Sequence, residues 1–245
     1  MEIPYWMSRT QLMLGDEKVI NLMHKNVLVV GLGGVGGICA EMIARAGVGK
    51  MTIVDGDVVD LSNCNRQIVA LHSTAKQPKA EVMAARIKDI NPNIELTVIN
   101  DFIREEKTVQ LLSNNTFDYA VDCIDTLSPK VWFIKCCVEK NIPIVSALGA
   151  GGKVDPSRVE VVDISESYQC NLARYVRKYL SKLGVKKGVK VVFSPEEVEQ
   201  DKIVVTEKAY PKKSIIGTIP FMPAIVGCYT ASVVINDLMI QAPRR

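Results

Sequence analysis

A glycine-rich segment, Gly31-Leu32-Gly33-Gly34-Val35-Gly36, constrains the fold of this chain more than any other feature. It follows a β-branched run at residues 25–31 and precedes apolar residues at helical spacing over residues 34–47. The spacing G-x-G-x-x-G between a strand and a helix lets backbone N–H groups at the helix N-terminus approach a phosphate. Asp55 ends the next β-branched run, where a carboxylate can accept hydrogen bonds from a ribose. Gly31, Gly33, Gly34, Gly36 and Asp55 are therefore predicted to bind a nucleotide.

The rest of the chain alternates between short β-branched runs and amphipathic segments, which predicts an α/β, Rossmann-like, doubly wound and mostly parallel sheet. Residues 1–150 form the predicted nucleotide-binding part, and residues 151–245 a C-terminal α/β elaboration that determines specificity within what we expect to be the same domain. Strands are predicted at residues 51–55, 95–100, 117–125, 142–147, 158–164 and 189–194, and helices at 77–91, 105–113, 128–141, 170–183 and 222–239, with a turn-rich segment at 201–219.

Cysteine and histidine usage limits the chemistry that the chain can carry. The 245 residues include seven cysteines but no Cys-x-x-Cys pair, and only two histidines. This argues against a structural zinc site and against a histidine-based triad. An odd number of cysteines, several inside apolar runs, predicts reduced thiols and a cytoplasmic protein.

Membrane association is not expected from the sequence. The N-terminus has no basic segment followed by an apolar stretch, so no signal peptide is predicted. Residues 219–240 are strongly apolar, but Pro220, Pro223, Asn236 and Asp237 interrupt the run. A continuous span needs about 20 apolar residues, so a buried helix is the favoured interpretation.

Polar residues at the predicted carboxyl edge of the sheet exceed what a redox dinucleotide needs. Asn63, Asn65, Arg66 and Gln67 follow Asp55, and Lys79 begins the next helix. An Arg and a Lys directed at one place suit a triphosphate, whose charge must be neutralised as pyrophosphate leaves. Asp122 and Asp125 end a later strand at the same edge. A carboxylate beside phosphates is typical of a Mg²⁺ site.

The segments GLGGVGG, VDGD, N-x-N-R-Q, QPKAE and DCID resemble the ThiF/MoeB superfamily of adenylating enzymes, which includes the activating enzymes of ubiquitin-like proteins. The resemblance implies that Asp55 binds the ribose of ATP and that Asn63, Asn65, Arg66 and Lys79 belong to the ATP site. It also implies a homodimer, a Mg²⁺ ion and, in some relatives, a monovalent cation. The implied catalytic residues are Arg66, Lys79, the Mg²⁺ ligand Asp125, and Arg9, which would reach the phosphates of the neighbouring subunit.

Over residues 6–240 the chain looks most like the branch of that superfamily that dehydrates threonylcarbamoyladenosine in tRNA. Matching segments include SRTQLMLG, AEVMAARIKDINP and GAGGKVDPSRVEVVDI. The branch implies ATP-dependent ring closure of the modified base next to the anticodon through a carboxyl-adenylate, with a cysteine desulfurase or sulfur acceptor as a further partner. Three alternatives stay open: an adenylyltransferase for a ubiquitin-like or sulfur-carrier protein, a non-catalytic nucleotide-sensing RNA-binding module, and an NAD dehydrogenase.

A basic stretch in the C-terminal half predicts a tRNA-binding surface. No acidic residue occurs between Ser167 and Pro195. On the predicted helix, Leu172, Val176, Leu180 and Leu183 share one face, with Tyr175 and Tyr179 at its borders, where they could stack on a base. A solvated helix face is the competing interpretation. The predicted RNA-binding residues are Arg174, Arg177, Lys178, Lys182, Lys186 and Lys187, which Lys190, Lys212, Lys213, Arg244 and Arg245 could extend.

Overall fold

A seven-stranded sheet forms the centre of the molecule, and the computed structural model describes residues 2–205 and 214–240. Its strand order is β3-β2-β1-β4-β5-β7-β6, and every neighbouring pair is parallel except β6 with β7. The predicted α/β, doubly wound and mostly parallel fold is confirmed. The strands are β1 (Asn26–Val30), β2 (Lys50–Val54), β3 (Glu95–Ile99), β4 (Tyr119–Asp122), β5 (Ile144–Ala147), β6 (Glu160–Asp163) and β7 (Lys190–Phe193).

Helices cover both faces of this sheet. The strands alternate their side chains between the two faces: Val27 and Val29 of β1 join one buried cluster, and Leu28 and Val30 join the other. Two-sided burial explains why the strand sequences read as continuous apolar runs. The helices are α1 (Ser8–Leu14), α2 (Asp16–Met23), α3 (Gly36–Arg45), α4 (Lys79–Ile90), α5 (Glu105–Asn114), α6 (Leu127–Glu139), α7 (Asn171–Lys182) and α8 (Phe221–Ile240).

The apolar C-terminal helix α8 lies against the first face of the sheet. By length and composition alone it could cross a membrane. In the fold, Met222, Val226, Val234 and Leu238 are buried in the same cluster as residues of α3, α4 and the sheet. The prediction of a buried helix at residues 222–239 is confirmed.

Two parts of the chain differ from the sequence-based expectation. The segment predicted to be turn-rich contains a small antiparallel pair, β8 (Ile203–Val205) with β9 (Ser214–Ile216). The N-terminal arm forms α1 and α2, for which no helices were predicted. Lys212, Lys213, Arg244 and Arg245 lie outside the described residues.

The topology places a crevice at the carboxyl ends of β1 and β4. The chain runs outward from β1 through β2 to β3, and then returns to β4 on the other side of β1. Ligands bind at such a reversal of strand order in open α/β sheets. β5 pairs with β7, so residues on both sides of position 150 belong to one sheet. The division of the chain at that position remains a prediction.

Candidate functional site

The glycine turn lies at this crevice, between β1 and α3. Gly31 has a φ of +89°, and a Cβ built on it would lie 2.7 Å from the carbonyl oxygen of Cys123. A Cβ on Gly36 would lie 1.7 Å from the carbonyl oxygen of Gly31. Both positions therefore exclude any side chain. At Gly33 the nearest atom is Nε2 of Gln67 at 3.8 Å, so the backbone there is open to a ligand.

Helix α8 packs directly against the back of the glycine turn. A Cβ on Gly34 would lie 3.0 Å from Cβ of Pro223, and one on Gly227 would lie 2.5 Å from the carbonyl oxygen of Val35. These close contacts between α8 and the turn fix the position of the turn on the side that packs against α8. The open side of the turn faces the carboxyl edge of the sheet.

Asp55 adjoins the turn, as predicted. Its Oδ2 accepts a hydrogen bond from the Leu32 amide at 2.6 Å, and its Oδ1 accepts one from the Asp57 amide at 2.8 Å. Burial raises the pKa of Asp55, and the two amides together with the charge of Lys79 act in the opposite direction. The carboxylate is thus fixed beside the glycine turn in a position suited to a ribose.

Lys79 is the buried first residue of α4. Its Nζ lies 3.0 Å from Oδ2 of Asp57, and its amide donates to the Asp57 carbonyl oxygen at 3.0 Å. No role was predicted for Asp57, although it lies two residues after Asp55. The Asp57 carboxylate holds the lysine ammonium close to Asp55.

Arg66 is held by its own loop. Its Nη1 donates to the Ser62 carbonyl oxygen at 3.0 Å and to Oδ1 of Asn65 at 2.8 Å. The Asn65 Nδ2 in turn donates to the Thr218 carbonyl oxygen at 3.0 Å. Oδ1 of Asn63 accepts from the Asp60 amide at 3.2 Å. In this structure Asn63 and Asn65 therefore support the loop that carries Arg66, and their contact with ATP remains a prediction.

Gln67 is a candidate that the predicted set of site residues missed. Its side chain is buried, its Oε1 has no hydrogen-bond partner among the residues that the structure describes, and its Nε2 lies nearest to Gly33. Buried polar atoms are nearly always paired, and an exception calls for an explanation. The only sequence signal was its place directly after Arg66. We expect Oε1 to accept a hydrogen bond from a ligand hydroxyl or from water that enters with the nucleotide, while Nε2 can donate to a phosphate oxygen over the glycine turn.

The two aspartates at the end of β4 have different environments. Asp122 is fully buried and pairs with Lys130, so the interpretation of Asp122 as a residue beside Mg²⁺ is wrong. Asp125 is exposed in the loop after β4, and its Oδ1 accepts from Oγ1 of Thr126 at 3.2 Å. The described residues include no group of three metal-ligating side chains. A single solvent-exposed carboxylate fits Mg²⁺ that arrives with a nucleotide, because such an ion takes its other ligands from phosphates and water.

Lys130 was also missed by sequence analysis. It is fully buried on α6, on the same helix face as Ile134 and Cys137. The sequence signal for its burial was its position, because Lys130 lies four and seven residues before apolar residues of the same helix face. The partner of such a lysine cannot be read from the pattern.

The sequence model of the ThiF family matches residues 8–242. The chain belongs to the ThiF family. Two curated relatives match it over nearly the whole length of both proteins. It is 39% identical to the tRNA threonylcarbamoyladenosine dehydratase of Bacillus subtilis (strain 168), over 95% of this chain and 94% of that protein.

Solved structures of a related protein support the assignment of this chain to the ThiF family. The E. coli tRNA N6-threonylcarbamoyladenosine dehydratase, TcdA, in complex with ATP superimposes with a TM-score of 0.86 at 35% identity, covering 98% of this chain and 97% of that one. Its complex with AMP gives a TM-score of 0.87 at 35% identity over 100% of both chains. The superposition covers the sheet, the glycine turn and the C-terminal elaboration alike.

The basic surface of this ThiF chain is carried by α7. Ala173, Val176 and Leu180 are buried, whereas Leu183, predicted on the apolar face, is 42% exposed because the helix ends before it. Arg177, one of the predicted RNA-binding residues, is half-buried and donates to the carbonyl oxygen and hydroxyl of Ser167, so its guanidinium is less accessible than a residue on the solvent face would be. The remaining predicted RNA-binding residues are exposed, namely Arg174, Lys178, Lys182, Lys186 and Lys187.

Two aromatic–cation pairs lie on the exposed face of α7. The guanidinium of Arg174 is 5.1 Å from the ring centre of Tyr175, and the ammonium of Lys182 is 5.6 Å from that of Tyr179. Both rings remain about two-fifths exposed. The face therefore presents positive charge together with accessible ring surface.

Arg9 is the last of the predicted site residues, and no cysteine was among them. Arg9 lies exposed on α1, and its guanidinium makes no hydrogen bond to the described site residues of its own chain. All seven cysteines are free thiols. Burial raises the pKa of Cys228, the one exposed cysteine, which disfavours a reactive thiolate there.

Proposed function

We propose that this protein uses ATP to dehydrate threonylcarbamoyladenosine in tRNA next to the anticodon. The proposal is supported by the Asp55 carboxylate bonded to the glycine turn, with the charge of Lys79 near that carboxylate and the Arg66 backbone beside Gly34, in a chain that matches a dehydratase of that name over 95% of its length. The related structure in complex with ATP supports nucleotide binding by this chain.

The chemistry proceeds in two steps. The threonyl carboxylate attacks the α-phosphorus of ATP, and pyrophosphate leaves. The ureido oxygen then attacks the activated acyl carbon and expels AMP, while the ureido nitrogen loses its proton. The ring closes with the net loss of one water from the base. Because both attacking groups belong to the substrate, no cysteine nucleophile is required.

The chain's own residues act by positioning and charge neutralisation. The open backbone at Gly33 and the N-terminus of α3 receive phosphate oxygens, and Asp55 holds the ribose. Arg66 and Lys79 neutralise the charge that develops on the departing pyrophosphate. Asp125 would supply a carboxylate oxygen to Mg²⁺, which shields phosphate charge when it is bound. The implied monovalent cation and a sulfur-transfer partner such as a cysteine desulfurase remain predictions to which no residues are assigned.

The decisive experiment supplies the purified protein with ATP, Mg²⁺ and tRNA carrying threonylcarbamoyladenosine, followed by mass spectrometry of the nucleosides. We expect the modified nucleoside to lose one water and AMP to accumulate in equal amount. Reactions without ATP serve as the control. Pyrophosphate exchange that depends on a protein ending in Gly-Gly, without any change in the tRNA, would instead identify an adenylyltransferase.

A homodimer is the assembly that fits the N-terminal arm. Tyr5, Leu12 and Met13 are 93%, 83% and 83% exposed and lie on and beside α1. Large apolar side chains grouped on one exposed element indicate an interaction surface. In a symmetric dimer this surface would deliver Arg9 to the phosphates of the neighbouring site.

We predict that Arg9→Ala and Arg66→Ala, each inactive alone, complement one another in mixed dimers. If Arg9 acts across the interface, a dimer with one subunit of each kind has one complete site. Random re-association then restores about a quarter of wild-type turnover, since half the dimers are mixed and each has one working site. The measurement is AMP release after denaturation and joint refolding. No recovery above the separately refolded variants would show that Arg9 acts within its own subunit or not at all.

The exposed face of α7 is the proposed tRNA contact. We predict that Lys178→Glu weakens tRNA binding by about tenfold and lowers the slope of log affinity against log salt by about one, because one phosphate contact is lost. Affinity for ATP should not change. Filter binding across a salt series measures both quantities. Lys18→Glu, the same charge change on α2, is the matched control, and an equal effect of the two would contradict a specific surface.

A further inference from the structure

A fully buried polar trio lies at the end of β4. Nζ of Lys130 is 2.6 Å from Oδ2 of Asp122, 3.1 Å from Oγ of Ser146 and 2.9 Å from the carbonyl oxygen of Ala147. Oγ of Ser146 also donates to Oδ2 of Asp122 at 2.6 Å. Lys130, Asp122 and Ser146 each have 0% relative exposure. The trio therefore joins the ends of two neighbouring strands to the first turns of α6 without access to solvent.

The second oxygen of Asp122 fixes the loop that follows it. Oδ1 accepts a hydrogen bond from the Ile124 amide at 3.0 Å. The preceding residue, Cys123, donates its amide to the Val30 carbonyl oxygen at 2.8 Å, and its own carbonyl oxygen lies against Gly31. The loop is thus attached to the glycine turn on one side and to the trio on the other. Asp125 is the next residue along this loop.

Stability alone does not account for an ion pair in this position. A buried pair must offset the desolvation of both charges, and well-packed apolar side chains of similar size often give equal or greater stability. What an apolar pair lacks is the set of directed hydrogen bonds to Ser146, Ala147 and Ile124. These directed hydrogen bonds fix the conformation of the loop after β4, where that loop meets the proposed phosphate site.

We propose that Lys130 is a positioning residue for nucleotide-bound Mg²⁺: acting through Asp122, it fixes the loop that carries Asp125. Lys130 touches neither nucleotide nor metal. The inference rests on the proposed function only in taking Asp125 as the Mg²⁺ ligand. It assigns a task to a lysine, an aspartate and a serine that the ATP-binding residues do not include.

The test measures how much Mg²⁺ strengthens ATP binding, by calorimetry with and without the ion, and it needs no tRNA. The key variant combines Lys130→Met with Asp122→Leu, so that no charge is left buried alone. We expect its ATP affinity without Mg²⁺ to stay within about threefold of wild type, while the gain on adding Mg²⁺ falls by tenfold or more, as in Asp125→Ala. Wild-type enhancement by Mg²⁺ in this variant would overturn the proposal.

A matched control removes a second ion pair from the opposite end of the sheet. Lys50 begins β2, and its Nζ lies 2.7 Å from Oε2 of Glu95, the first residue of β3. Lys50→Met with Glu95→Leu should leave the Mg²⁺ enhancement intact. Loss of the enhancement in the control too would reduce the role of Lys130 to general stability and overturn the proposal.

A milder variant keeps the test decisive if the double variant does not fold. Ser146→Ala removes a single hydroxyl from the trio, and we expect a threefold or greater loss of Mg²⁺ enhancement with an unchanged circular dichroism spectrum. An unchanged enhancement would refute the positioning role. If wild-type protein shows the enhancement but does not dehydrate tRNA, the proposed function fails while the inference about Lys130 stands.

Discussion

Replacing Arg66 by alanine is expected to lower kcat/KM for tRNA dehydration by about a thousandfold, because a preorganised donor to developing charge is lost. The guanidinium is held in place by Ser62 and Asn65 before any ligand binds, so little reorganisation opposes its action. Arg66→Lys should recover only a small part of the rate, since an ammonium cannot reproduce the planar fork of donors. Steady-state pyrophosphate release measures both variants.

The matched control is Arg104→Ala, which removes an exposed arginine that precedes α5 and lies outside the site. It should leave kcat and KM within twofold of wild type. If Arg66→Ala raised only the KM for ATP and left kcat unchanged, Arg66 would bind ATP equally in the ground state and the transition state. That result would contradict a role in the departure of pyrophosphate.

Asp125→Asn is expected to lower the rate by about a hundredfold at low Mg²⁺, because a neutral amide is a poorer ligand for a hard cation. Raising the Mg²⁺ concentration should restore part of the rate, which distinguishes a lost ligand from a distorted site. The measurement is AMP release over a Mg²⁺ titration. Asp89→Asn, an exposed change of the same kind on α4, is the control. An Asp125→Asn enzyme with the wild-type Mg²⁺ dependence would rule Asp125 out as the ligand.

The sequence predicts the central strands of the main sheet well because they are buried on both faces. The runs at β1 and β2 are apolar throughout, and their alternation with amphipathic segments defines the winding of the sheet. The pair β8 and β9 escapes prediction because each strand has only three residues and lies outside the main sheet. The predicted strand over residues 117–125 is too long at its C-terminal end, because the Asp122 carboxylate accepts from the Ile124 amide and turns the chain.

The sequence predicts which residues belong to the candidate site better than it predicts the contacts between them. The glycine spacing and the motif around Arg66 identify which residues converge. They do not reveal that Asp57 holds Lys79. Nor do they reveal that the Asn65 amide accepts a hydrogen bond from Arg66 and donates one to the Thr218 carbonyl oxygen. Such contacts join segments that are distant in the chain, and local patterns carry no information about them.

The approach of α8 to the glycine turn has a consequence for biosynthesis. Pro223 and Gly227 contact the turn from a position nearly two hundred residues downstream. At typical elongation rates the turn must wait on the order of ten seconds after its synthesis before this helix leaves the ribosome. During that interval the apolar strands β4, β5 and β7 lack part of their cover. Premature termination before residue 221 should therefore produce insoluble fragments rather than a weakly active enzyme.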